Sequence, residues 1–126
     1  MVTQPHWKDQ PDDHDYPAAE SYLNLLMPRA RARRVVQRLR GRAIEHFKAK
    51  DLLRASGLAL LPAENVHVAK DLAKVRAGQL LSPVLLVRGG LDAGLALTIA
   101  DGYHRVCASY HLDEDADVPC RLVGQG

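Results

Sequence analysis

The spacing of apolar residues changes character at about residue 58. Before that point they recur at helical intervals among polar neighbours. Tyr22, Leu25 and Leu26 share one side of a helix predicted over 18–27, and Pro28 ends it. Val35, Val36 and Leu39 alternate with arginines over 29–40, and Gly41 interrupts that pattern. Ile44, Phe47, Leu52 and Leu53 carry a further helical pattern over 43–56, with Gly57 as its stop. Beyond it, short apolar runs bounded by Pro and Gly read as strands at 58–61, 83–87, 95–100 and 118–123. Asn65 is a helix cap ahead of Val68, Leu72 and Val75, a pattern that runs to Gly78. A last helix over 103–111 turns Val106, Cys107 and Tyr110 inward.

The order from residue 58 is therefore β-α-β-β-α-β. Gly89-Gly90 and Asp92-Ala93-Gly94 mark the turn of a hairpin between the two central strands. The expected fold class is α+β, a small mixed sheet with helices over one face, preceded by a helical extension. Three segments follow: a flexible acidic tail at 1–17, a helical extension with a basic segment at 18–57, and the α+β domain at 58–126. The tail is rich in Asp, Pro, Gln and His and has no period that could bury a core. His6 and His14 read there as solvated side chains rather than metal ligands. No internal repeat is visible.

Charge sharpens this division. The formal net charge is only +2, yet residues 1–26 hold one lysine against five acids, and residues 27–54 hold ten basic residues against two. Several arginines on one element can neutralise nucleic-acid phosphates, which makes Arg33, Arg34 and Arg38 candidate contacts. No aromatic residue interleaves them, so base stacking is poorly served. The same segment reads equally as a solvated helix face. It could also drive self-association through Val35, Val36 and Leu39 into a homo-oligomer.

Aromatic residues are 5% of the chain, so the core must be aliphatic. Cys107 and Cys120 fall in apolar patterns and form no C-x-x-C pair, which reads as two buried free thiols and no zinc ribbon. Asp113, Glu114, Asp115 and Asp117 are neighbours in one loop, where solvated charge is the simpler reading than a metal cluster. No run approaches the roughly 18 apolar residues of a membrane span, and residues 1–26 lack the apolar run expected of a secretory signal. The default expectation is a cytoplasmic protein with no membrane partner.

Candidate chemistry concentrates at 99–108, Ile-Ala-Asp-Gly-Tyr-His-Arg-Val-Cys-Ala. A strand that feeds an Asp-Gly turn and then a helix aims free backbone N–H groups at one point, and the helix dipole favours an anion there. His104 and Arg105 add donors, and arginine suits bidentate phosphate contacts. Without further context the same residues equally form a plain turn and an exposed first helical turn.

Three stretches carry a family likeness. The run 80–89, Leu-Leu-Ser-Pro-Val-Leu-Leu-Val-Arg-Gly, the Asp101-Gly102-Tyr103-His104-Arg105 box and the closing 118–123, Val-Pro-Cys-Arg-Leu-Val, together resemble the ParB/sulfiredoxin-like superfamily over residues 58–123. Sulfiredoxins place a reactive cysteine before the His-Arg pair, where this chain has Tyr103, so sulfinic-acid reduction is not expected. ParB partition proteins add a helix-turn-helix domain downstream, and this sequence ends three residues after Val123. The closest motif is the D-G-x-H-R box of relatives that include the ParB-like free serine kinase. There the box binds nucleotide phosphates while a nearby carboxylate supports phosphoryl transfer.

The resemblance thus implies a small ParB-like domain that binds a nucleotide or another phosphate-bearing ligand, with ATP or CTP and Mg²⁺ as the implied cofactors. Gly102, His104 and Arg105 would hold phosphate, with Arg88 and Lys70 at the rim. Asp101 and His104 would be the catalytic pair if the domain transfers phosphate or hydrolyses nucleotide. Glu64 is a further candidate carboxylate by placement. Whether the chain is an enzyme stays open at this point. The rival is a non-enzymatic module that binds DNA or protein through the Arg-rich helix.

Overall fold

All four residues of Val84–Val87 are buried, because both faces of this strand are covered. The computed structural model describes residues 6–125. In it β2 (Val84–Val87) lies inside a four-stranded mixed sheet of order β1-β4-β2-β3. β1 (Glu45–Lys48) and β4 (Asp117–Val123) are antiparallel, β4 and β2 are parallel, and β2 and β3 (Thr98–Asp101) are antiparallel.

Alternation divides the apolar residues between two cores. Val84, Leu86, Ile99, Val118, Cys120 and Leu122 face α3 (Ala49–Ser56), α4 (Val66–Arg76) and α5 (Tyr103–Leu112). Leu85, Val87, Ala100 and Val123 face α1 (Asp15–Leu23) and α2 (Arg29–Arg40). Leu85 is fully buried, as is Leu39 opposite it in the second core, and each such side chain contributes about 1.5–3 kcal/mol. The chain is a mixed α+β fold with five helices among the described residues.

Several expectations need correction. The helices cover both faces of the sheet rather than one, and α1 and α2 of the supposed extension form the second layer. The boundary at 57/58 cuts through the sheet, because β1 precedes it and pairs with β4. The expected strand at 58–61 joins no strand. It runs extended beside α5, where the Tyr103 hydroxyl donates to the Ala59 carbonyl and His111 Nε2 lies 2.7 Å from the Leu61 carbonyl. The first strand is instead 45–48, inside the pattern read as a helix. Ile44 and Phe47 are three apart, which fits a helix, but Glu45 and Phe47 turn inward while His46 and Lys48 turn outward. Four residues are too few for periodicity to separate the two readings.

The acidic tail differs too. Residues 1–5 lie outside the described residues, but 6–17 are docked. The Lys8 amide donates to Leu81 O at 2.7 Å, the Leu81 amide donates to His6 O at 2.7 Å, and Trp7 bridges Leu81 as a parallel strand would. His6 is buried. α1 begins at Asp15 and buries Tyr16, Ala19 and Leu23, so Leu25 and Leu26 fall beyond its end and are 81% and 56% exposed. The segment shows no period because it is an irregular strap rather than a helix or a long strand.

The basic segment is an amphipathic helix that buries Ala32, Val35, Val36 and Leu39 in the chain's own second core. Those residues are therefore not a free surface for self-association. Arginines around this face bind carbonyls at the C-terminal end of the described chain: Arg31 to Gln125 O at 2.9 Å, Arg38 to Gly124 O at 3.1 Å and Arg42 to Leu122 O at 3.1 Å. In return Arg121, buried on β4, donates to the Leu39 and Arg40 carbonyls at the negative C-terminal end of α2. The Arg40 guanidinium sits 4.1 Å from the centre of the Tyr16 ring.

Two outcomes follow from this packing. Val36→Asp places an unpaired carboxylate in the second core and should cost at least about 2 kcal/mol in urea unfolding; a change in sedimentation with stability unaltered would contradict this packing. Cys107 and Cys120 are both fully buried, and burial pushes the Cys120 thiol up to about 12. Both should resist a thiol reagent at neutral pH and react only as denaturant unfolds the chain; rapid native labelling would contradict the packing.

Candidate functional site

The end of β3 makes the turn that the sequence predicts. Asp101 closes the strand, Gly102 adopts φ 110°, and α5 begins at Tyr103. Glycine is required twice here. The positive φ disfavours any side chain, and a Cβ would lie 2.4 Å from Val84 Cγ1 and 2.8 Å from Arg105 Nη2. No side chain caps α5, so its first amides keep their unmet donors.

These amides open into a cleft of about 360 Å³. Its walls are α4, the α5 N-terminus, the Leu80–Ser82 segment and the N-terminal strap. Asp101, Gly102, His104, Arg105 and Lys70 all line it, as the sequence reading expects. Arg88 does not. It follows β2 at the opposite end of the sheet and lines a separate apolar cavity with Phe47, Leu91 and Leu95. Antiparallel pairing explains this: Val87 is opposite Thr98 at the start of β3, whereas the box lies past its end. Glu64 is exposed on the turn before α4 and does not line the cleft. Arg33, Arg34 and Arg38 lie on the other face of the sheet with α2.

Arg105 is not a free cation. Its Nη2 donates to Asp101 Oδ2 at 2.7 Å and its Nη1 to Asp15 Oδ2 at 3.4 Å. The Asp15 side chain is only 4% exposed. Its Oδ2 also accepts from the Ser82 hydroxyl, whose oxygen takes the Asp12 amide at 2.9 Å. Sequence reasoning missed Asp15 and Ser82. Asp15 stands in a segment without periodicity, ninety residues before its partner, and nothing local marks it. Arg105 Nε is buried without a partner among the described residues.

Burial raises the Asp101 carboxyl above its ordinary range, against the opposing pull of Arg105, and the nearby Asp15 carboxylate adds to the rise. Burial also raises Asp71. The hydrogen bond from Lys8, at 2.7 Å, lowers Asp12. His104 is lowered by burial first and then by His67, whose ring centre is 4.7 Å from its own. The lowering favours the neutral imidazole, the form that can accept a proton. Asp12, His14 and Asp15 bring ligand atoms within 4.8 Å of one another, a grouping not anticipated for tail residues. Two of the three are already committed, Asp12 to Lys8 and Asp15 to Arg105 and Ser82.

No protein-family model, curated protein or solved structure matches the chain. No described helix is long and apolar enough to cross a membrane.

The ion-pair geometry changes what an arginine variant measures. Arg105→Ala strands the buried Asp15 carboxylate and should destabilise the chain by about 3–5 kcal/mol. Asp15→Asn together with Arg105→Ala should recover part of that loss, because the stranded charge is gone. Urea unfolding of the two singles and the double reads the coupling.

Proposed function

We propose that this chain binds a phosphate-bearing small molecule, a nucleotide foremost, in the cleft at the start of α5. The carrying observation is the uncapped α5 N-terminus behind left-handed Gly102, opening among Lys8, Lys70, Lys74 and Arg105. Amides and dipole would take phosphate oxygens, and the lysines would neutralise the remaining charge. The buried, unpartnered Arg105 Nε leaves one further donor.

The likeness of Asp101-Gly102-Tyr103-His104-Arg105 to the D-G-x-H-R box of ParB-like proteins supports the same reading. A ParB/sulfiredoxin-like core belongs to this proposal, with one adjustment: its leading strand is 45–48 and two helices follow before β2. Where the nucleotide carries Mg²⁺, as ATP or CTP would, the aspartates beside the phosphate subsite are the hard oxygen donors such an ion takes. A phosphotransfer or hydrolysis step would draw on Asp101, which Arg105 already orients, and on neutral His104.

The rival module acting through the Arg-rich helix has less to stand on. Arg31, Arg38 and Arg42 hold the C-terminal end of the chain. Arg29, Arg33 and Arg34 are exposed and, among the described residues, form no hydrogen bond or ion pair. A nucleic-acid role would rest on those three.

Lys70 and Lys74 test the proposal without disturbing the buried ion pair, since Lys70 is exposed and Lys74 half-buried on α4. Calorimetric titration with ATP or CTP and Mg²⁺ should show binding to the wild-type chain. Lys70→Ala with Lys74→Ala should weaken it about ten-fold or more, which is about 1.4 kcal/mol. Arg33→Glu with Arg34→Glu should leave it unchanged. No binding, or binding indifferent to the lysine pair, would overturn the assignment. Steeply salt-dependent DNA binding lost in the arginine pair would favour the rival.

A further inference from the structure

The apolar cavity at the opposite end of the sheet holds about 380 Å³ between α3 and the hairpin that links β2 to β3. Its buried lining is Leu52, Leu86 and Leu122, all members of the first core. Its outer lining includes Leu91 and Leu95 of the hairpin, which are 97% and 49% exposed. The hairpin is a fixed wall. Gly90 and Leu95 exchange two backbone bonds of 2.9 Å, and Gly94 turns the chain at φ 67°. Gly89 lies so close to the returning chain that a Cβ there would be 2.3 Å from Leu95 O.

Asp51 and Arg88 are the charged residues of this lining, and they are not equivalent. Asp51 already has a cation, since Arg54 Nη2 donates to its Oδ1 at 3.4 Å. Arg88 is anchored by its backbone: its amide donates to Val123 O at 2.7 Å and its carbonyl accepts from Gln125 Nε2 at 3.4 Å. Its side chain is exposed at the rim and forms no hydrogen bond or ion pair among the described residues. The α3 N-terminus adds little for an anion, because the Ala49 and Lys50 amides donate to Ala116 O and Glu114 O at 3.0 and 3.1 Å. The cavity therefore combines an apolar body with one unanswered positive charge.

We propose that this cavity binds a small monocarboxylate with an aliphatic body, a medium-chain fatty acid in class. The body covers Leu91 and Leu95 and extends the first core, taking their exposed apolar surface out of water. The carboxylate pairs with Arg88, whose planar fork matches two carboxylate oxygens. A single free cation suits one carboxylate and serves a polyphosphate poorly, which separates this ligand from that of the α5 cleft. The sequence groups Arg88 with the phosphate site; the fold gives it a different cavity and a different anion.

The test titrates the whole chain with decanoate, below its micelle-forming concentration and without nucleotide, by calorimetry and NMR. The wild-type chain should bind one equivalent, with the methyl signals of Leu91, Leu95 and Leu122 shifting and those of the α5 cleft unmoved. Arg88→Gln should weaken binding about ten-fold or more. Arg88 is exposed, so its replacement leaves the core intact. Arg76→Gln, which removes an exposed charge at the end of α4, should leave binding unchanged. Decanol keeps the body and loses the charge; it should bind more weakly and be indifferent to Arg88→Gln. No binding, equal binding of decyltrimethylammonium, or shifts centred on the α5 cleft would each overturn the proposal. So would a concentration-dependent dimer, lost in Leu91→Ser, in a chain that ignores decanoate, since a second copy would then own this surface. Nucleotide titration reads the phosphate assignment separately, so either can fail alone.

Discussion

The Arg105 guanidinium, held between Asp15 and Asp101, is the interaction on which the cleft depends. It joins three parts of the chain: the start of α1, the end of β3 and the first turn of α5. The pairing is almost closed to solvent, with Asp15 4% and Arg105 14% exposed. At that depth a lone charge would be severely penalised, so each partner requires the others. Ser82 extends the linkage by satisfying Asp15 and receiving the Asp12 amide. The strap over 6–15 is therefore fixed at both ends, by its backbone bonds to Leu81 and by this buried charge.

That arrangement explains which parts of the fold were legible in the sequence. The local signals held. Asn65 caps α4 through its side chain, accepting the His67 and Val68 amides at 3.0 and 3.2 Å. The Asp101-Gly102 turn opens a helix, and the run at 84–87 is a strand buried on both faces. What failed was set by distant partners. Residues 45–48 become a strand because β4 offers them an edge, and 58–61 do not because no strand lies beside them. Asp15 looked like one acid among several in a polar tail; only the fold brings it to Arg105.

The basic segment shows the same dependence on context. Six arginines between residues 29 and 40 read as a surface for phosphates, yet the neighbouring carbonyls at the end of β4 claim Arg31 and Arg38. Arg42 and Arg121 continue that exchange, with each element supplying donors to the other's carbonyls. Arginine serves this purpose because its planar fork reaches carbonyls while its stem covers apolar surface. A dense cationic run can thus be the means by which a helix is fastened to a sheet.

The cleft itself is balanced in charge, with Lys8, Lys70, Lys74 and Arg105 facing Asp12, Asp15, Asp71 and Asp101. A simple anion trap would not spend four carboxylates on its walls. Two of the four are consumed in holding Arg105, and Asp12 answers Lys8. Once those pairs are formed, Lys70 and Lys74 are the cations left without a carboxylate partner among the described residues, with Asp71 as the one carboxylate beside them on α4, so an anion entering the cleft meets more free positive than negative charge.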